Sequence, residues 1–118
     1  MDKISVIMGI YNPRDIEMLK KSIESILTQT YENFEFIICD DFSNLEIQKI
    51  LLEYKEKDKR IIVIRNSRNM GLAASLNNCL EKATGKYIAR QDDDDISKND
   101  RCEKAIEFLT KNKEYDCV

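Results

Sequence analysis

The sequence predicts a doubly wound, mainly parallel α/β sheet, and two observations lead there. Short runs rich in β-branched residues alternate four times with segments that carry apolar residues at helical spacing. The strand runs are also apolar on both faces, as strands covered by helices on two sides must be. At 118 residues with 42 % apolar content, the chain fits one globular domain, or part of one, with a modest core.

The first strand is KISVIMGI, Lys3 to Ile10. Asn12 and Pro13 then announce a helix as N-cap and first-turn proline. Its apolar stripe is Ile16, Leu19, Ile23, Ile26 and Leu27. FEFIIC, Phe34 to Cys39, is a second buried strand, and Ser43 and Glu46 have the spacing of a capping box for the next helix. That helix buries Ile47, Ile50, Leu51 and Tyr54. IIVIR, Ile61 to Arg65, is the third strand, and the turn-rich NSRNMG leads into a helix bearing Leu72, Leu76, Leu80 and Ala83. Gly85 ends that helix. KYIARQ, Lys86 to Gln91, is a shorter and more polar fourth strand. After it come an acidic run and a last helix, Asp100 to Lys111, with Ala105, Ile106 and Leu109 on one side. YDCV then begins another apolar segment.

Composition narrows the chemistry. Nineteen Lys and Arg against 22 Asp and Glu leave a net charge of −3 without a basic block to track a phosphate backbone, so nucleic acid is not the expected partner. The longest apolar run, Ile61 to Ile64, is far too short to span a bilayer, and the N-terminus lacks a signal-peptide layout; the reading is a soluble, cytosolic chain. Four cysteines, Cys39, Cys79, Cys102 and Cys117, show no CxxC spacing, and there is no histidine to complete a zinc site. They read as reduced and mostly buried thiols. Without histidine, acid or base chemistry falls to carboxylates, Lys, Tyr or Cys.

In doubly wound sheets ligands bind outside the carboxyl ends of the strands. The loops leaving those ends are GIYNP, DDFS, NSRNMG and DDDD, and two of the four begin with acidic clusters. The second cluster, Asp92 to Asp95, poses an electrostatic problem, because two unit charges about 4 Å apart repel by roughly 4 kcal/mol at a protein surface. Hard oxygen ligands such as Asp92 and Asp94 suit Mg²⁺ or Mn²⁺, and a divalent ion would relieve that repulsion. It would also neutralise the charge on a departing diphosphate. With three glycines and neither GxGxxG nor GxxxxGK, no phosphate cradle is available instead. The bland alternative is a solvated acidic run that meets the positive end of the following helix dipole. A repeated acidic pair at Asp40 and Asp41, at the end of another buried strand, is not what solvation alone predicts.

SVIMGIYN, SILTQTYENFEFIICDD, NMGLAASLNNCLEKATGKYIARQDDDD and the trailing RCEKAIEFL together resemble the nucleotide-binding half of family 2 glycosyltransferases with the Rossmann-like GT-A fold. The resemblance covers essentially the whole chain. It implies transfer of a sugar from a nucleoside diphosphate sugar, mostly UDP-linked, to an acceptor hydroxyl, usually with inversion. By the same resemblance Tyr11 packs on the nucleobase, Gly9 and Asn12 shape its pocket, and Asp41 hydrogen-bonds the pyrimidine. Asn69, Gly71 and Leu72 match a nucleotide-lining segment. Asp92 and Asp94 are the ends of the D-x-D motif: Asp94 is the expected direct metal ligand, Asp92 or Asp93 contacts the ribose or holds the ion through water, and Asp95 often follows. Arg101 matches a basic family position near the start of the last helix, and plainer roles stand beside all of these: Tyr11 as a cap on the sheet edge, Asp40 as a loop holder, Gly71 as a turn residue and Arg101 as a helix-surface cation. Two departures from the family pattern, Gln91 at an often apolar position and Lys98 or Asn99 near a usual proline, bear on the shape of the acidic loop.

An inverting transfer also needs a carboxylate base for the acceptor hydroxyl. In the family it lies in the acceptor-binding half, beyond Val118, so residues 1–118 are expected to bind donor and metal but to transfer sugar poorly or not at all. The acceptor would be a saccharide or a lipid-linked molecule, the latter placing the longer protein at a membrane periphery. Two rival readings remain. One is a non-catalytic nucleotide-binding module. The other is a haloacid dehalogenase-type phosphatase with Asp92 as nucleophile, although that motif wants a strongly apolar strand before it. A calcium loop fails on Ile96, which occupies a ligand position.

Overall fold

A computed structural model describes all residues, 1–118. It contains β1 (Ile4–Ile10), α1 (Ile16–Leu27), β2 (Phe34–Asp40), α2 (Leu45–Lys57), β3 (Ile61–Arg65), α3 (Leu72–Lys82), β4 (Tyr87–Arg90) and α4 (Arg101–Lys111). The four strands form one sheet in the order β3-β2-β1-β4, and every pair is parallel. This is the predicted fold class. No helix is long and apolar enough to cross a membrane.

Strand alternation divides the core in two. Ile4, Val6, Met8 and Ile10 of β1 face Leu19, Ile23 and Ile26 of α1, the α2 stripe from Ile47 to Tyr54, and Cys102 of α4. Ile7, Ile37 and Cys39 face the other way, onto Cys79 and Leu76 of α3. Leu19, Ile23 and Ile26 are fully buried, and each contributes about 1.5–3 kcal/mol by leaving water. Helices therefore cover both faces. From β1 the chain moves outward to β2 and β3, and α3 then carries it back across the sheet to β4 on β1's other side. The order reverses between β1 and β4, and a crevice at the carboxyl ends is expected there.

Three local expectations are corrected. Asp15, not Asn12, caps α1: its carboxylate accepts from the Met18 amide, because Asn12 is held in the loop by other bonds described below. Asn44, not Ser43, caps α2 and accepts from the Ile47 amide; the Ser43 amide is drawn instead to Asp40. Gly85 does not terminate α3, which ends at Lys82 with Ala83 as its cap. The apolar stretch from Tyr115 to Val118 forms no regular element, and the Tyr115 ring lies 5.6 Å from that of Phe108.

Gly85 is required for a close approach. A Cβ there would lie 2.7 Å from the Ser5 amide nitrogen and 2.8 Å from the Lys3 carbonyl oxygen. Beside it the buried Glu35 carboxylate accepts from Ser5 Oγ, Thr84 N and Thr84 Oγ1, and pairs with Lys3. Gly85→Ala should therefore cost about 1–3 kcal/mol by overpacking. Chemical denaturation checks this, and an unchanged midpoint would show that the start of β1 moves aside freely.

Candidate functional site

The first two loops at the carboxyl edge are locked to each other. Asn12 sits at φ 41°, a left-handed conformation that asparagine tolerates better than most residues. Its amide donates to Ser43 Oγ, and its Oδ1 accepts from the Asn44 amide. Asp40 is buried and holds the second loop as expected, accepting from Ser43 N at 2.9 Å and from Arg65 at 2.7 Å. Between these anchors Tyr11 stands 53 % exposed. A half-exposed ring on a fixed backbone is suited to stacking on a flat ligand.

Asp41 organises the third loop. It is 3 % exposed, and its carboxylate accepts from Asn66 Nδ2 (2.8 Å), Met70 N (2.7 Å) and Gly71 N (2.8 Å). Burial pushes this carboxyl up, but the three donors outweigh it and hold the group below its ordinary 3.8. Gly71 caps α3 at φ 94°, ψ 166°, a region essentially reserved for glycine. That conformation alone accounts for a glycine at the turn. A Cβ on Gly9 would lie 2.9 Å from Leu72 Cδ1, so its bare backbone lets α3 settle over β1. Leu72 and Asn69 are exposed beside it.

The acidic run leaves the sheet early. Arg90 is level with Ile7, while β2 follows β1 to Ile10. That three-residue difference starts the acidic loop about 10 Å below the tip of β1. The run then closes as a turn in which the Asp95 amide donates to the Asp92 carbonyl at 3.2 Å. In such a turn the first and fourth residues are neighbours. Carboxylate oxygens of Asp92, Asp94 and Asp95 consequently lie within 4.8 Å of one another. Asp92 and Asp94 come together, and Asp95 joins them; an alternating D-x-D reading misses it because the chain turns instead of extending. Asp93 stands outside the trio, its carboxyl pushed up by burial first and then by the Asp94 and Asp92 charges. Arg90 Nε lies 3.1 Å from Asp92 Oδ1 and offsets part of the charge. Three close carboxylates fit a hard cation with oxygen ligands at about 2.0–2.2 Å, such as Mg²⁺ or Mn²⁺.

Several supporting residues escape sequence reasoning. Ser22 Oγ donates to the Asp92 carbonyl, and Arg101 donates to the Arg90 carbonyl and to Gln91 Oε1. Ser22 and Ser25 of α1, with Gln29 just past its C-cap, form a polar ridge beside the apolar stripe, facing the segment from Gln91 to Cys102. Their spacing of three and four was the available signal. Arg101 therefore clamps the loop instead of decorating the helix surface. Asn66, at the end of β3, links Asp41 to Ser75 and Asn78 of α3. Three of the four cysteines are buried and all are unbridged, as expected.

The model of the family described as Glycosyl transferase family 2 matches residues 5–118. The chain belongs to that family. It is 51 % identical over 117 residues to EpsE of Bacillus subtilis (strain 168), covering 98 % of this chain and 41 % of EpsE. The chain thus spans less than half the length of this curated relative. Among solved structures, TarS 1-349 of S. aureus in complex with UDP-GlcNAc superposes with a TM-score of 0.85 at 24 % identity, over 94 % of this chain and 32 % of that one. The mannosyltransferase PcManGT of Pyrobaculum calidifontis, in complex with GDP-Man and Mn²⁺, gives 0.80 at 21 % identity, over 90 % and 32 %. Both likenesses establish the fold, the Rossmann-like GT-A arrangement. Family membership also displaces the phosphatase reading, and the half-exposed β4 agrees, since a nucleophile loop of that kind follows a strongly apolar strand.

Proposed function

We propose that residues 1–118 are the donor-binding portion of a glycosyltransferase domain that moves a sugar from a nucleoside diphosphate sugar, UDP-linked, to an acceptor hydroxyl with inversion. The observation that carries this is the convergence of Asp92, Asp94 and Asp95 on the edge that also presents exposed Tyr11. The nucleotide-sugar and Mn²⁺ complexes of the structural neighbours support it. Tyr11 stacks on the base, in a pocket shaped by Gly9 and Asn12 and lined by Asn69, Gly71 and Leu72. Asp41 uses three of its four lone-pair sites within the protein, so it positions the lining loop and reads the pyrimidine through the remaining one. Asp93 approaches the ribose. Asp92 and Asp94, with Asp95, hold Mn²⁺ or Mg²⁺, whose charge would stabilise the diphosphate leaving group.

The base that takes the acceptor proton lies outside these residues. Asp40 and Asp41 are buried and engaged, and using a cation ligand as base would oppose its first role. The acceptor is a saccharide or a lipid-linked molecule, the second case bringing the protein to a membrane surface. Calorimetric titration with UDP and GDP, with and without Mn²⁺, tests the reading. UDP binding that needs Mn²⁺, together with no transfer to added acceptors, is expected. Equal UDP binding with and without Mn²⁺ would overturn the metal assignment, and turnover by the 118 residues would overturn the placement of the base. A chain that binds UDP while its full-length form transfers nothing would be the non-catalytic module.

A further inference from the structure

We propose that Gln91 is a positioning residue whose amide, not its bulk, sets the shape of the 92–95 turn and hence its affinity for a divalent cation. The inference rests on the reading of that turn as the metal site. Gln91 is 3 % exposed and is the last residue before the turn. Its backbone is tied to β1, the amide donating to the Ile7 carbonyl at 3.0 Å. Its side chain is bonded at both ends. Nε2 donates to the Asp95 carbonyl (2.8 Å) and to Ser22 Oγ (3.1 Å), while Oε1 accepts from Ser97 Oγ (2.7 Å) and from Arg101 (3.2 Å).

Ser22 Oγ, which receives that Nε2 bond, itself donates to the Asp92 carbonyl at 2.8 Å. One buried amide and hydroxyl pair therefore grips both ends of the turn by their carbonyls from the protein side. The Asp94 and Asp95 residues remain exposed. Like charges packed this closely favour an opened turn, and the carbonyl grips resist that opening. A methionine would fill similar space. It would offer nothing to the Asp95 carbonyl, leave the Ser97 hydroxyl without its acceptor, and reduce Arg101 to its bonds with the Arg90 carbonyl and Ser97 Oγ. Ser22, Ser25 and Ser97, all within reach of the Gln91 amide, make that amide necessary here.

The test measures Mn²⁺ dissociation constants, by titration of the metal alone, for the 118-residue chain and four variants. Gln91→Met should weaken binding about 10-fold or more, within the range seen when outer partners of metal ligands are removed. Ser22→Ala, a gentler change, should weaken it in the same direction. Gly85→Ala, at the opposite end of the sheet, should lower stability without changing the constant, which separates positioning from general destabilisation. Wild-type binding that depends on Asp94 but is unchanged in both Gln91→Met and Ser22→Ala would overturn the role of Gln91 alone. A wild-type chain that binds no Mn²⁺, or an Asp94→Asn chain that binds it equally well, would overturn the metal reading and this inference with it.

Discussion

Asp94→Asn is expected to weaken Mn²⁺ binding by about 100-fold, the upper end of what removing even an outer partner of a metal ligand costs, and to abolish metal-dependent UDP binding. Asp94 contributes one of three converging carboxylates, so its amide variant lacks a full negative charge where the cation is to sit. The useful control is Asp100→Asn. Asp100 lies at the start of α4 and pairs with Lys104 at 3.1 Å, away from the trio. It should leave both constants unchanged. The two states of the site predict opposite stability effects. Without metal, Asp94→Asn relieves repulsion and should melt at or above the wild-type temperature. With Mn²⁺ at about 100 times the wild-type dissociation constant, the wild type should gain about 2.7 kcal/mol and the 100-fold weaker variant only about 0.4 kcal/mol. Thermal melts with and without Mn²⁺ check both signs. A variant that melts lower without metal would mean that Asp94 has a structural role instead.

The strand and helix order was legible because each element carries its own period. β2 is buried at every position, and α1 shows a single stripe. Even Glu35, a charge within β2, did not disturb that pattern, since Ser5 and Thr84 satisfy it from neighbouring elements. Caps were less legible for a related reason. Asn12 and Ser43 have the right chemistry to cap helices, but each finds its partner in the other's loop, a contact between residues 31 apart that local pattern does not encode. The acidic run shows the same limit at the site. Composition announced four charges, whereas the membership of Asp95 in the trio depends on a turn that Ser22 and Gln91 hold from outside the run. Asp41 was placed on the right edge, and its three internal donors came from a loop 25 to 30 residues later.

Those donors make Asp41→Asn the substitution with the largest expected structural effect. The carboxylate meets only N–H groups: the Asn66 amide on one oxygen, with Met70 N, and Gly71 N on the other. An asparagine can accept through one atom only, so its NH₂ must face either Gly71 N–H or the Asn66 and Met70 donors. In each orientation a donor meets a donor in a site that is 3 % exposed. Leaving buried donors unpaired and losing charge-assisted bonds should cost about 2–4 kcal/mol. The loop from Asn66 to Gly71 should loosen, and nucleotide affinity should fall with it. The pH dependence follows from the direction of the shift. The folded-state carboxyl lies below its ordinary 3.8, so its contribution is fully present above that value and is lost as pH falls through the folded-state pKa. The stability gap between wild type and Asp41→Asn should therefore be constant above about pH 5 and shrink below pH 4, because protonation removes from the wild type what the substitution removed already. Denaturant titrations at pH 7, 5 and 3 measure that gap. A gap that widened toward pH 3 would mean that Asp41 is held protonated in the fold, which its three donors do not permit.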